Sequence, residues 1–145
     1  MVTSTSNGWL FWALLSAAFA ALTAILAKLG VSGIDADLAT LFRTIVIVVA
    51  LCALLFVTDG FKPLGQVATR TWLFLTLSGL ATGASWLCYF RALKVGDAAR
   101  VAPIDKLSVV IVAIIGTAFL GEHLSARNWL GVVLIGIGAA LVALR

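Results

Sequence analysis

Residues 8–27 read GWLFWALLSAAFAALTAILA, a run of twenty positions without a charged side chain. A helix needs about 20 predominantly apolar residues to cross the hydrocarbon core of a bilayer. The whole chain has this character, because 63% of its 145 residues are hydrophobic and 11% are charged. Soluble domains are closer to about one-half apolar and one-quarter charged, and disordered chains have low hydrophobicity. The composition therefore predicts an all-α integral membrane protein.

Further apolar segments of spanning length follow the first one. With it they make five predicted helices, at about 8–27, 38–58, 71–92, 101–120 and 126–144. The connections between them are short, which makes consecutive helices antiparallel neighbours. We expect a bundle of five transmembrane helices that forms a single domain over residues 1–145. The first segment has no basic residues before it and is longer than the apolar core of a signal peptide, so we expect it to be a retained span.

The ten basic residues divide unequally between the two faces of this bundle. An odd number of spans puts the termini on opposite sides, and seven basic residues then lie at or just inside the C-terminal face: Lys28, Arg43, Arg91, Lys94, Arg100, Lys106 and Arg145. Three lie on the other face: Lys62, Arg70 and Arg127. Because cytoplasmic loops carry the excess of Lys and Arg, this favours an outer N-terminus and an inner C-terminus. The bias is small, and insertion in both orientations stays open.

Other ligand classes have little support in the sequence. The net charge of +4 accompanies no basic stripe or stacking motif, so we expect no nucleic-acid partner. Cys52 and Cys88 lie inside apolar segments, and the single histidine, His123, makes a structural zinc site improbable. We expect no metal and no cofactor, and the partners that we expect are the lipid bilayer and a small-molecule substrate.

Small residues indicate where helices approach one another closely. Gly79 and Gly83 form a Gly-xxx-Gly pair, and Gly136 forms a similar pair with Ala140. Such pairs let lipid-embedded helices pack backbone to backbone, either within the chain or between copies of it. Gly121 fits a helix terminus, and Glu122 after it is placed either to cap the next helix or to bond across the hairpin. The residues with predicted structural roles are Gly79, Gly83, Gly136, Ala140, Gly121 and Glu122.

The third helix carries a polar face. Ser78, Thr82, Ser85 and Tyr89 are spaced by four, three and four residues, which puts them on one side of a helix. The hydroxyl groups either line a wet cavity or bond back to carbonyls of their own helix. The cavity interpretation makes substrate-binding candidates of residues of this helix: Thr82, Ser85, Trp86, Tyr89 and Arg91. Arg43 of the second helix is a further candidate, in a charged vestibule at the basic face that Arg91 shares.

The fourth helix begins VAPIDKLS, with Pro103 expected in its first turn. Asp105 and Lys106 follow inside the membrane, and adjacent helical residues point about 100° apart. We therefore expect Asp105 to pair not with Lys106 but with Arg43 or Lys28. The group is either a structural ion pair or part of a substrate or coupling site. In the second interpretation Asp105, Lys106 and Ser108 join the substrate-cavity candidates.

The run SGLATGASWLCYFRALKVGDAARVAPIDKLSVV, residues 78–110, followed by FLGEHLS, residues 119–125, resembles the EamA family of the drug/metabolite transporter superfamily. The likeness is to its branch of single five-helix domains and covers nearly the whole chain. It implies a half-transporter, that is, a carrier of small organic solutes or metabolites that often works outward. Larger relatives hold two such domains of inverted topology, so the resemblance implies that one half alone needs a partner of opposite orientation, and we expect a homodimer that can be antiparallel.

The predicted spans, the polar residues within them and the family resemblance support three functions unequally. The preferred one is a dimeric carrier of the bacterial inner membrane that exports its solute by alternating access. The first alternative is a non-transporting accessory or assembly subunit of a membrane complex. The second is an intramembrane enzyme, which needs a nucleophile–base pair or a metal cluster at membrane depth, and the sequence offers neither. We therefore expect no catalytic residues.

Overall fold

The computed structural model describes residues 8–60 and 67–144, in which all regular structure is helical. The helices are α1 Gly8–Gly30, α2 Ala36–Val57, α3 Thr69–Val95, α4 Ala98–Asp105, α5 Ser108–Phe119 and α6 Ala126–Ala143. A 3-10 turn, Val31–Gly33, separates α1 from α2. Two basic residues that enter the orientation prediction, Lys62 and Arg145, lie outside the described residues.

Five helical segments of the described part of the chain are long and apolar enough to cross a membrane, which confirms the predicted number of spans. They are Gly8–Gly33, Ala36–Val57, Thr69–Val95, Ala98–Phe119 and Ala126–Ala143. Large apolar side chains along them are exposed in the isolated chain, as at Phe56 and Phe119. Apolar surface on this scale does not face water in soluble monomers, so it is the surface that contacts lipid.

The fourth span is broken, whereas the sequence predicted one continuous helix over 101–120. α4 and α5 are separated by Lys106 and Leu107, whose backbone N–H groups donate to carbonyls three residues earlier, at 3.1 and 3.0 Å. Pro103 was expected in a first turn, but α4 begins at Ala98 and so Pro103 lies inside it. A proline inside a helix offers no N–H to the carbonyl four residues before it and crowds that carbonyl. This weakens the turn before Pro103, and the α-helix gives way to a 3-10 turn three residues after the proline.

The described residues form two compact units, and each is described by itself. The first comprises residues 27–60 and 67–94, with the end of α1, all of α2 and most of α3. Its most buried side chains lie at the C-terminal end of α3 and in the 3-10 turn: Leu93 is 0% exposed, Val31 1% and Phe90 3%. Packing in this unit is therefore concentrated at one end of its helices.

The second unit contains most of α1 and the helices α4, α5 and α6. Its described residues are 8–26 and 95–144. A Cβ on Gly136 of α6 would lie 3.4 Å from Val110 Cγ2 of α5, which is van der Waals contact. At the end of α6, Arg100 Nη2 donates to the carbonyl of Ala143 at 2.9 Å. Since Arg100 belongs to the first turn of α4, α6 runs antiparallel to the broken span.

The predicted helix-packing residues have different surroundings. Gly136 contacts α5, whereas Ala140 is exposed and its neighbour Ala139 is the buried residue of α6. Among the described residues, nothing lies within 4 Å of a Cβ built on Gly79 or on Gly83. This part of α3 is therefore open to lipid or to another chain, and close packing at these two glycines stays a prediction for an oligomer.

The turn between α5 and α6 contains the two residues that the sequence placed there. Gly121 adopts φ +70°, the left-handed conformation that favours glycine. The N–H of Glu122 donates to the carbonyl of Gly116 at 3.1 Å, and its carboxylate folds over the same residue. The cap of α6 is Ser125, whose Oγ accepts from the N–H of Asn128 at 3.3 Å. Of the two predicted roles of Glu122, the cap is wrong, and the residue instead turns back onto α5.

The buried end of α3 predicts a stability difference between two leucines of the same helix. Leu93→Ala should lower the free energy of unfolding by about 2 kcal/mol, the lower end of the range for buried leucines, because lipid solvates apolar surface as well as a core does. Leu80→Ala, at a position that is 67% exposed, should leave it nearly unchanged. Thermal melting in detergent micelles measures both, and equal losses would contradict this packing.

Candidate functional site

The beginning of α2 is fixed by an aspartate cap. The Asp35 carboxylate accepts hydrogen bonds from the backbone N–H groups of Asp37 and Leu38, at 2.9 and 3.3 Å. An N-cap of this kind satisfies N–H groups that the helix itself leaves without an acceptor. The cap therefore sets the position of Asp37 in the first turn of α2.

Asp37 and Arg91 form a two-pronged ion pair between α2 and α3. Arg91 Nε donates to Oδ1 at 2.8 Å and Nη2 donates to Oδ2 at 2.6 Å. The planar guanidinium matches a carboxylate in this geometry, which adds direction to the attraction. Arg91 was predicted as a cavity residue, but the structure joins it to an acidic residue that the sequence analysis did not single out.

Two lysines at the same end of this unit bind backbone carbonyls. Lys28 Nζ donates to the carbonyl of Leu93 at 2.7 Å, and Lys94 Nζ donates to that of Ile34 at 2.9 Å. The last carbonyls of a helix have no partner inside it, and a basic side chain satisfies them while it complements the helix dipole. These lysines thus tie the end of α3 to α1 and to the segment before α2.

Arg43 stacks on aromatic rings of α3. Its guanidinium carbon lies 4.2 Å from the centroid of Trp86 and 5.5 Å from that of Phe90. A cation over an aromatic face is attracted by the electron-rich ring. Arg43 and Trp86 were predicted as cavity residues on different helices, and they are in contact. Tyr89, on the same helix as Trp86, is half-buried.

The prediction that Asp105 cannot pair with its neighbour is wrong. Lys106 Nζ donates to Asp105 Oδ2 at 3.1 Å. The backbone of Lys106 is still helical, and its long side chain reaches back to the carboxylate of the preceding residue. The expected partners make other contacts, since Lys28 binds a carbonyl and Arg43 stacks on a ring. Ser108, the remaining candidate here, is the exposed first residue of α5.

The hydroxyl groups of α3 differ in what they contact. Thr82 Oγ1 donates to the carbonyl of Ser78 at 2.9 Å, which is the bond to its own helix that the sequence analysis left as an alternative. Thr44 of α2 makes the same kind of bond to Thr40, at 2.8 Å. Ser85 is exposed. A cavity role for Thr82 and Ser85 stays a prediction.

Comparison with known proteins decides the family. The model of the EamA-like transporter family matches residues 7–144, almost the whole chain. The chain belongs to the EamA-like transporter family. No solved structure matches this EamA-like chain.

Relatives of this EamA-like protein carry transporter names. An uncharacterised transporter in the cobO 3′ region of a Sinorhizobium species is 62% identical over 138 residues, which cover 95% of this chain and 98% of that protein. The Pseudomonas fluorescens protein named as probable 4-amino-4-deoxy-L-arabinose-phosphoundecaprenol flippase subunit ArnE is 35% identical over 112 residues, covering 63% of this chain and 95% of its own. The uncharacterised transporter YxxF of Bacillus subtilis is 25% identical over 145 residues, and the match spans 99% of this chain and 45% of that protein.

The family and the five spans agree on the kind of protein. This EamA-like chain is a multi-pass integral membrane protein and a membrane transporter. Its bacterial relatives favour the inner membrane. The family and these relatives are named as transporters, which is consistent with a protein that is not an enzyme.

The ion pair between α2 and α3 predicts a charge-swap result in this EamA-like protein. Asp37→Arg and Arg91→Asp should each lower the melting temperature, because each puts two like charges in contact. The double variant should recover most of the loss, although not all, since an arginine in the first turn of α2 opposes the helix dipole. Melting of the purified variants in one detergent measures this.

A matched control uses the other end of α3. Arg70→Asp changes the net charge as Arg91→Asp does, but Arg70 contacts a ring, Phe74 at 5.7 Å, and no carboxylate among the described residues. It should melt close to the unmodified protein. A double variant no more stable than the singles would contradict the ion pair.

Proposed function

We propose that the chain is a carrier that exports a small organic solute by alternating access, and that two copies form the working unit. The observation that carries this proposal is the broken fourth span. Asp105 and Lys106 lie at the break, inside a segment that is otherwise apolar enough to cross the membrane. Ionisable side chains within a span face the interior of a bundle or a water-filled cavity.

Discontinuous spans have a known use in carriers. In such carriers the groups at a break in a span face a solute or a coupling ion near the middle of the membrane. Here Lys106 and Leu107 keep their backbone hydrogen bonds, so the side chains at the break are the groups available to a solute or an ion. The Asp105–Lys106 pair adds a carboxylate and an ammonium group to that point, with Asp105 half-buried and Lys106 exposed. Ionisable residues inside a span are costly and usually functional. The pair therefore supports a solute or coupling site at the break.

The dimer is supported by the size of the relatives. The match to the Bacillus subtilis transporter covers 45% of that protein, which leaves room in it for a second domain of the same size. Carriers of this kind often consist of two repeats of inverted topology that rock against each other. The open surface at Gly79 and Gly83 offers α3 a place for close contact with a second copy.

A second function is favoured by one relative. The Pseudomonas fluorescens protein is named a flippase subunit, which by its words works with another polypeptide. On that analogy the chain is an accessory subunit and completes its pathway with a different membrane protein. Copurification of such a protein at fixed stoichiometry, with no dimer of the chain alone, distinguishes this function from the first.

If the chain is a carrier, liposomes that contain it and many different solutes should lose some of those solutes selectively. Purified protein is reconstituted into liposomes loaded with a bacterial metabolite extract, and the retained solutes are measured by mass spectrometry over time. The unmodified protein should deplete one solute or a small related group. Asp105→Asn should reduce that depletion by about tenfold or more, since it removes a charge needed for solute or ion binding.

Asp97→Asn is the matched control, because Asp97 precedes α4 and lies outside the fourth span. It should deplete the same solutes at the unmodified rate, and all three proteins should show the same dimer by crosslinking. If Asp105→Asn transports normally, the site at the break is wrong. If it neither folds nor assembles while Asp97→Asn does, the pair has a structural role instead.

A further inference from the structure

Arg43 occupies an unusual position for a permanent charge. It lies seven residues after the first residue of α2, about 10 Å along the helix at 1.5 Å per residue, within the span Ala36–Val57. Its side chain is half-buried. The guanidinium faces Trp86 at 4.2 Å and the buried ring of Phe90 at 5.5 Å. The aromatic rings therefore hold the cation in place at membrane depth.

The acidic residues of the same unit are engaged elsewhere. Asp35 caps α2, Asp37 holds Arg91 through both carboxylate oxygens, and Asp59 follows the distant end of α2. Within residues 27–60 and 67–94, no carboxylate pairs with Arg43. In this unit the guanidinium lies against aromatic rings and interacts electrostatically with Tyr89.

Ring stacking leaves the directional part of the guanidinium unused. The attraction acts through the face of the group, whereas its five N–H donors project from the edge in a fixed fork. No hydrogen bond from Arg43 to a described residue of its unit accompanies the stacking. A fork of this kind fits carboxylate and phosphate oxygens in particular. Arg43 is thus held from one side and able to bind from another.

A cation without a counter-charge is costly inside a bilayer, and residues of this kind mark substrate pathways. We propose, resting on the carrier function above, that Arg43 binds an oxyanion, a phosphate or carboxylate group of the transported solute. Trp86 and Phe90 hold the guanidinium so that its N–H edge meets the anion. The solute class is then an organic anion, borne either on a lipid or on a soluble molecule.

The other intramembrane cations serve as a contrast. Arg91 and Lys106 already have carboxylate partners, so an arriving anion has to displace a bonded group. Arg70 supplies a matched arginine, because it also lies over a ring, that of Phe74 at 5.7 Å. It is the second residue of α3 and exposed, at the end of the span, where water balances its charge.

The test is a binding titration with defined probes. The protein is placed in nanodiscs of zwitterionic lipid and titrated with dodecyl phosphate, with inorganic phosphate and with dodecyltrimethylammonium. Tryptophan emission reports binding, because Trp86 stacks on Arg43. Arg43→Gln, Arg43→Lys and Arg70→Gln are compared with the unmodified protein. The melting temperature of each variant without probe shows that it is folded.

The expected result is binding of a phosphate probe and no binding of the ammonium probe. Arg43→Gln should weaken phosphate binding by about tenfold to a hundredfold, the range for a lost charge-assisted hydrogen-bond pair. Arg43→Lys keeps the charge but lacks the forked N–H donors, so its phosphate affinity should lie between those of the unmodified protein and Arg43→Gln. It also replaces Arg43→Gln in the test if that variant fails to fold. Arg70→Gln should bind normally. Tight binding of dodecyl phosphate alone indicates a lipid-borne anion, and binding of both phosphates indicates a soluble one.

Several results would overturn the inference. They are no binding of either phosphate by the unmodified protein, equal affinity in Arg43→Gln, and equal losses in Arg43→Gln and Arg70→Gln. The liposome depletion assay separates this inference from the carrier itself. If solutes are depleted but anion binding ignores Arg43, the solute class is wrong and the carrier stands. If Arg43 binds phosphate but no solute is depleted, the carrier is wrong and the anion site stands.

Discussion

A charge inside a lipid bilayer has to be neutralised or brought to the interface, and this constraint governs the structure. Arg91 is neutralised by Asp37, and Lys106 by Asp105. Lys28 at the end of α1 binds a carbonyl in the last turn of α3, and Lys94 of α3 binds the carbonyl of Ile34 before α2. Arg43 is the exception within its unit, since aromatic rings receive its charge. The arrangement of helix ends follows from these contacts, because each joins one element to another.

The fold could be predicted because it rests on composition and segment length. Long apolar segments leave a chain few alternatives to spanning helices, and the five spans agree with that expectation. The break in the fourth span was missed for a local reason. The predicted helix started three residues later than α4 does, so Pro103 was assigned to a first turn, where proline is harmless.

The site was predicted in part, and the misses concern pairs of residues far apart in sequence. Arg43 and Trp86 were predicted as cavity residues on two different helices, without a contact between them, and they are in contact. The partner of Arg91 was missed because Asp37 was assigned to a connection rather than to a helix. Antiparallel α2 and α3 bring the first turn of one beside the last turns of the other, and this pairing is readable only once the helix ends are known. The Asp105–Lys106 pair was missed because the angular separation of adjacent residues was weighed without the reach of the lysine side chain.

The basic residues of the two faces also affect how a chain of half the usual size finds the second half of a carrier. Several cations near the predicted inner face bind carbonyls or carboxylates, and the imbalance of seven against three between the faces is small. Orientation follows that imbalance, so a small one allows a chain to insert both ways. Two oppositely inserted copies then supply the inverted repeats that a carrier of this kind needs. The proposed antiparallel homodimer thus depends on an imbalance of basic residues that is too small to fix one orientation.

The most direct test of the antiparallel homodimer is to measure on which side of the membrane each terminus lies. One reporter cysteine is placed beside Met1 and another after Arg145, in a background without Cys52 and Cys88, and each is labelled in intact and then permeabilised cells with a membrane-impermeant reagent. The antiparallel homodimer predicts that each terminus is labelled to about half in intact cells. Full labelling at the N-terminus with full protection at the C-terminus would contradict it, and the carrier would then need a differently oriented partner.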